Sequence, residues 1–136
     1  EGANLSAAKL RRMKGSGTGF DGADLSGADF RDTRLPESSF AGAKLTGTVL
    51  ADADLSAARF EKADATGAVF ANTILEWADF SWAKLEKAMF VNANLAGAIL
   101  HAITEKDTSW DGANLKGVRR TDDDQLEAET WKPMSK

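Results

Sequence analysis

Every fifth residue of this chain is large and apolar. Reading from Leu5 to Leu115, 20 of 23 such positions are Leu, Phe or Trp, the exceptions being Gly15, Ala65 and Glu105. Two residues before each centre sits a small side chain: of 24 positions from Ala3 to Val118, 15 are Ala, five Thr and one Ser. Neither standard element accommodates this spacing. On an α-helix a five-residue step rotates by about 140°, which would spray the Leu and Phe around every face. On a flat strand a five-residue step changes sides each time, because the pleat has period two. The pattern points inward only if short extended pieces turn a corner every five residues. The centre i and the small residue i−2 then share the interior. Residues i−1, i+1 and i+2 face outward and carry nearly all the charge. Gly recurs at i+2, where it suits a tight corner.

All seven Phe fall on multiples of ten. Large and medium centres therefore alternate by side, and a coil has an even number of sides. Two sides leave no room for side chains, and six leave a hole that Leu and Phe cannot fill at protein density. Four sides give 20 residues per coil. Phe20, Phe40, Phe60 and Phe80 then form one column with Leu100 above. Leu35, Leu55, Leu75, Leu95 and Leu115 stack opposite Leu25, Leu45 and Leu85. Phe30, Phe70, Phe90 and Trp110 complete the expected core.

The units Ala23-Asp24-Leu25-Ser26-Gly27, Ala53-Asp54-Leu55-Ser56-Ala57, Ala93-Asn94-Leu95-Ala96-Gly97 and Ala113-Asn114-Leu115-Lys116-Gly117 resemble the A(D/N)LXX consensus of pentapeptide-repeat proteins. The resemblance spans roughly residues 3–118. It implies an all-β fold, a right-handed quadrilateral β-helix of about six 20-residue coils. Handedness and side count enter with the resemblance; the spacing itself gives the inward five-residue period. At about 4.8 Å per coil such a rod is on the order of 30 Å long. The expected organisation is a β-helix over 1–120, a short C-terminal capping helix over 121–132 and a tail over 133–136. Asp122, Asp123 and Asp124 suit a helix N-terminus, Pro133 ends the helix, and Leu126 and Trp131 would cover the last coil.

Stacking residues 20 apart makes the surface readable. One outward column runs Asn4, Asp24, Lys44, Asp64, Lys84, Thr104, with opposite charges alternating at neighbour distance. Another side is apolar over its middle coils, with Val49, Ala51, Val69, Ala71, Met89 and Val91. Around the following corners lie Ile74, Trp77, Trp82 and Ile99. Exposed aromatics and Met mark interaction surfaces. The expected surface is therefore Val49, Val69, Ile74, Trp77, Trp82, Met89, Val91 and Ile99, and its partner a protein or a second copy of this chain in a homodimer.

Composition closes off most chemistry. The chain has no Cys, one His and no Tyr, which removes thiolate metal sites and most acid–base and nucleophilic catalysis. His101 faces outward with no second His. Acids such as Asp52 and Asp54 alternate with bases on convex faces. Residues 13–19 look like a phosphate loop but lack the G-x-x-x-x-G-K-[ST] order. Lys9, Arg11, Arg12 and Lys14 read as a solvated basic end. No enzyme activity, catalytic residue, metal, cofactor or small-molecule substrate is expected, and no membrane span. Some proteins of the resembled family inhibit or protect DNA gyrase by mimicking DNA. Here acids and bases are nearly balanced up to residue 120, 16 against 15, which disfavours mimicry and DNA contact alike. The start at Glu1, inside a patterned segment, raises the expectation of a processed piece or a module of a larger effector or signalling chain. The lack of Cys favours the cytoplasm, with a lumenal or secreted site as the alternative.

Overall fold

The computed structural model describes residues 2–121, and the chain winds there as an all-β solenoid. Parallel bridges join each residue i−1 to its counterpart 20 positions on, from Asn4–Asp24 through Val49–Val69 to Asn94–Asn114. The longest extended pieces are β1 (Ile99–Leu100) and β2 (Arg119–Arg120), paired in parallel with the same register. The side is too short for more, because the chain corners after every five residues.

One unit shows why the period is five. Leu55 N–H donates to the Ile74 carbonyl in the next coil (2.8 Å), and Ala57 N–H to that of Glu76 (2.8 Å). Arg59 N–H donates back to the Ser38 carbonyl in the coil before (2.9 Å). Ala58 N–H closes the corner on the Leu55 carbonyl (3.0 Å). The remaining donor, Ser56 N–H, bonds Asp54 Oδ1 (3.1 Å). Each backbone donor thus has a partner, as a half-buried chain requires.

The corner residue i+2 has positive φ at every unit from Gly2 to Gly117. Glycine fills ten of these corners, and 14 other residues adopt the same left-handed conformation. For Asp32, Asp52, Asn72, Asn92 and Asp107 that conformation is comparatively easy.

The interior follows the five-residue pattern. From Ala23 to Leu100, centres and i−2 residues are fully buried, Ala65 included. Phe20, Phe40, Phe60 and Phe80 stack face to face at 5.1, 5.0 and 4.6 Å between centroids. Phe70, Phe90 and Trp110 form the facing stack at 4.7 and 4.6 Å. The two stacks meet edge to face, as between Phe60 and Phe70 (5.7 Å, 85°). Offset stacks and edge contacts are the favourable aromatic arrangements. Where Thr replaces Ala inside, its hydroxyl finds a carbonyl. Thr48 Oγ1 donates to Leu25 (2.7 Å) and Thr73 Oγ1 to Leu50 (3.0 Å).

Trp110 and Leu115, expected in the core, are half-buried, because among the described residues no coil stacks beyond theirs. Glu105 holds a centre position of the repeat there and is exposed. Its carboxylate accepts from Arg120 Nη1 (2.9 Å) and Trp110 Nε1 (3.3 Å), and Arg120 lies over the Trp110 ring at 5.6 Å. Ala102 N–H donates to Thr121 Oγ1 (2.6 Å). Beyond Thr121, the expected capping helix with Leu126 and Trp131 and the tail over 133–136 lie outside the described residues.

Candidate interaction surface

The outward columns are hydrogen-bonded before they are charged. Asp24 Oδ1 accepts from Ser26 N–H (3.0 Å) and from Ser26 Oγ (2.7 Å). Asp54, Asp64 and Asp79 do the same for Ser56, Thr66 and Ser81. These are Asx turns, and they give the Asp/Asn of the repeat its task. The hydrogen bonds from Ser26 hold the Asp24 carboxyl below the usual range, with Lys44 one coil away helping. Among the described residues the ion pairs run within a side or diagonally: Arg31–Asp29 (2.8 Å), Arg59–Glu61 (3.1 Å), Arg11–Asp32 (3.5 Å) and Arg120–Glu105 (2.9 Å). No direct pair forms up the alternating column of Asp24, Lys44, Asp64 and Lys84. Its charges act at longer range.

Other residues replace the Asp/Asn on every side, mostly charged ones such as Arg34, Lys44, Arg59 and Lys84, and on one side the replacements are apolar in three successive coils. Val49, Val69 and Met89 take the Asp/Asn position in three successive coils and are joined by bridges. Ala51, Ala71 and Val91 stand beside them, across the intervening centres. Met89 is 43% exposed, and the other five are half-buried because each flanks its stacked neighbour. The result is a flat apolar face. Charge borders it at both ends. Before it lie Asp29 and Arg31, joined by Arg31 Nε to Asp29 Oδ1 (2.9 Å) and Arg31 Nη2 to Asp29 Oδ2 (2.8 Å). That guanidinium holds the Asp29 carboxyl down at about 2. After it lies Asp111, which is exposed and has no ion pair among the described residues.

The eight expected surface residues do not form one patch. Val49, Val69, Met89 and Val91 share the apolar side. Ile99, half-buried, sits half a coil away on the opposite side, between the corners that carry Trp77 and Trp82. Ile74 lies on a third side. Trp77 is 70% exposed, Trp82 and Ile74 each 40%. Both tryptophans have φ of 63°, uncommon for a bulky side chain. Trp77 lies against the next corner, Gly97, where an added Cβ would fall 2.6 Å from its ring. Trp82 meets His101 edge to face at 5.5 Å. Sequence reasoning missed Arg31 and Asp111 as the borders of the apolar side, although the column order already contained them.

The surface depressions are shallow and lie along the outer columns. One of about 390 Å³ is lined by Asp32, Asp52, Asp54 and Asn72, and one of about 500 Å³ by Lys84, Lys87, Lys106 and Asp107 among others. Among the described residues no His, Cys, Asp and Glu cluster to hold a metal ion. No helix there is long and apolar enough to cross a membrane.

Parallel coils of 20 residues, a corner after every fifth and an Asx turn on each side define a solenoid built from five-residue repeats. A family model described as a pentapeptide repeat region matches residues 14–90, more than half of the chain, and the chain belongs to the pentapeptide-repeat family. Among solved structures it is similar to trypsin-treated QnrB1, a plasmid-mediated fluoroquinolone resistance protein. That match is 18% identical, covers 98% of this chain and 94% of the other, and has a TM-score of 0.56. It is also similar to the pentapeptide repeat protein Rfr23 from the cyanobacterium Cyanothece 51142, at 20% identity, 86% of each chain and a TM-score of 0.57. These likenesses concern the fold. No curated protein matches the chain.

Proposed function

We propose that this chain is a non-enzymatic protein-interaction scaffold, a short rod that docks a partner through its apolar side. The observation that carries this reading is the replacement of the Asx position by Val49, Val69 and Met89 in three stacked coils. Asp or Asn there would satisfy a backbone donor and favour water. Val and Met forgo that bond and present apolar surface, which fits a surface that is covered in use. The rod is taken as a right-handed quadrilateral β-helix of about six coils. A module within a larger effector or signalling chain would serve the same purpose. Replacing Val69 and Met89 together by Lys should abolish capture of a protein partner or self-association and leave the circular dichroism spectrum unchanged. Unaltered capture and an unaltered sedimentation coefficient would overturn the reading.

A second reading has one observation in its favour. Residues 21–86 carry 12 acids against six bases, as a DNA-mimicking protein that binds gyrase or another topoisomerase would require. Against it, the acids are divided among all four sides and interleaved with Arg31, Arg34, Lys44, Arg59, Lys62 and Lys84, whereas a mimic presents a continuous negative stripe. A supercoiling assay that shows no change at micromolar protein removes it.

A further inference from the structure

The apolar side is complementary to itself, and we infer that its occupant is a second copy of this chain, packed antiparallel with its two-fold axis at the level of Val69 and Ala71. The inference rests on the reading of this side as a docking surface and names what docks there. Two identical faces can pack on each other with the rods antiparallel, so that each outward column meets its own reverse. The column Arg31, Ala51, Ala71, Val91, Asp111 then pairs Arg31 with Asp111, Ala51 with Val91 and Ala71 with itself. The column Asp29, Val49, Val69, Met89, Ser109 pairs Asp29 with Ser109, Val49 with Met89 and Val69 with itself. The bordering corners pair Asp52 with Asn92, Asn72 with itself, Asp32 with Gly112, Gly47 with Lys87 and Gly27 with Asp107. No like charges meet directly, small faces large at Ala51–Val91, and opposite charges meet at both ends.

Other arrangements lose these features. A shift by one coil in one direction sets Arg31 against Val91 and moves Asp111 onto Arg11, which already pairs with Asp32 (3.5 Å); a shift the other way sets Asp111 against Ala51. The parallel arrangement exchanges the columns and brings Lys9 against Arg11. It also spends Asp29 on an arginine when that carboxylate is already held by its own Arg31 (2.8 Å). Asp111 has no ion pair among the described residues, so the antiparallel dimer gives it a partner, and Arg31 then bridges its own Asp29 and the Asp111 of the second copy.

The area sets the strength. A side about 12 Å wide over five coils of about 4.8 Å projects to on the order of 300 Å² per partner. That is about 600 Å² in total, below the range of stable interfaces, so the dimer is a weak and transient one. Among the described residues the N–H groups of Ala51, Ala71 and Val91 have no protein acceptor, so a docked face has to leave room for water beside them. So small and wet a contact associates weakly, and its dimer is sought at high protein concentration.

Sedimentation equilibrium of the full chain from about 10 μM to 1 mM reads this directly, since each concentration step of tenfold resolves about 1.4 kcal/mol of association. The wild type should pass from a 14.5 kDa monomer to a dimer. Asp111→Arg and Arg31→Glu should each weaken the dimer at least tenfold, because each sets like charges against each other twice. An equimolar mixture of the two variants should restore dimer, since both contacts then pair opposite signs. Val69→Lys should be monomeric throughout. A monomer at every concentration, or a dimer indifferent to Asp111→Arg, would overturn the inference. If the chain stays monomeric while the lysine variants still abolish capture of another protein, the docking reading survives and the self-pairing fails. If capture is also indifferent, both fail.

Discussion

At the scale of the residue, the five-residue unit is a solution to backbone donors in a chain that corners too often to form long strands. Four N–H groups of a unit such as 55–59 find carbonyls, and the fifth is met by the Asp or Asn side chain. Pro36 shows the same logic from the other direction: it stands where that fifth donor would be, and it has none. The corners carry the cost. Ala57 holds φ at 57° with no side chain to gain a compensating contact. A left-handed Ala is disfavoured by about 1–2 kcal/mol, and Gly gives back part of that through a freer unfolded chain. Ala57→Gly should therefore stabilise by about 1 kcal/mol, read as a higher urea midpoint with an unchanged slope. Asp29 offers a test by pH. Its carboxyl is lowered from 3.8 to about 2, chiefly by the hydrogen bond from Arg31. A depressed folded value contributes stability that is present above the unfolded value and lost as pH falls through the folded one. The melting temperature of the wild type should exceed that of Asp29→Asn above pH 4. The difference should shrink below pH 4 and vanish only once the pH falls below the folded value of about 2. The Asn still accepts from Arg31 N–H, so the comparison isolates the charge. A gap that persists to the lowest pH would mean the charge is not its source.

At the scale of the element, the coil is the unit that matters, and deletions separate it from the five-residue repeat. Removing residues 61–80 joins two coils in register, and Phe60 would stack against the next member of its own column. Removing 61–65 alone moves every later Phe to a side that expects Leu and places Phe70 above Leu45 and beneath Phe90. Overpacking of that kind costs about 1–3 kcal/mol per site, repeated at Phe70, Phe80 and Phe90. The 20-residue deletion should melt cooperatively with a proportionally smaller enthalpy. The five-residue deletion should lose its cooperative transition, and calorimetry distinguishes the two. This is also where the sequence was most legible. The inward period, the Phe columns and the 20-residue register could be read from Leu, Phe and Ala alone, because interior volume leaves those positions little freedom. The surface was less legible, because outward side chains are chosen by neighbours 20 residues distant and by hydrogen bonds. Asp24 and Lys44 read as a charge ladder, yet Asp24 bonds Ser26 in its own unit. Trp77 and Ile99 read as parts of one patch with Met89, yet half a coil separates them from it. Trp110 and Leu115 obey the period and are still half-buried, since position along the rod decides burial at its ends as much as the repeat does.

At the scale of the whole molecule, stability is a sum of coil-to-coil contacts, as in other solenoids. A middle coil has neighbours on both sides, and an end coil among the described residues has one. Burial follows that rule: Leu45, Leu50, Leu55 and Phe60 are fully enclosed, whereas Leu5, Leu10 and Met13 are only packed against the cluster. The corner over 16–17 is a bend rather than a closed turn, and Thr18 N–H bonds Ser38 Oγ (3.1 Å) in the next coil instead of the carbonyl of its own corner. The first coil is therefore held less firmly to itself than the middle ones. Local opening draws on such regions first. Among the hydrogen-bonded centre residues, amide hydrogen exchange should be fastest at Leu5 and Leu10, whose partners are Asp24 and Asp29, and slowest at Leu45, Leu50 and Leu55. An equal rate along the whole rod would mean that it opens only as one unit. The same measurement guards the docking reading. Val69 lies outward in the slow-exchanging middle, with its N–H on the Thr48 carbonyl (2.9 Å) and its side chain outside the core. Val69→Lys should leave the protection of Leu50 and Leu55 unchanged while the partner or second copy is lost. Loss of association would then be a property of the apolar side and not of a loosened coil beneath it.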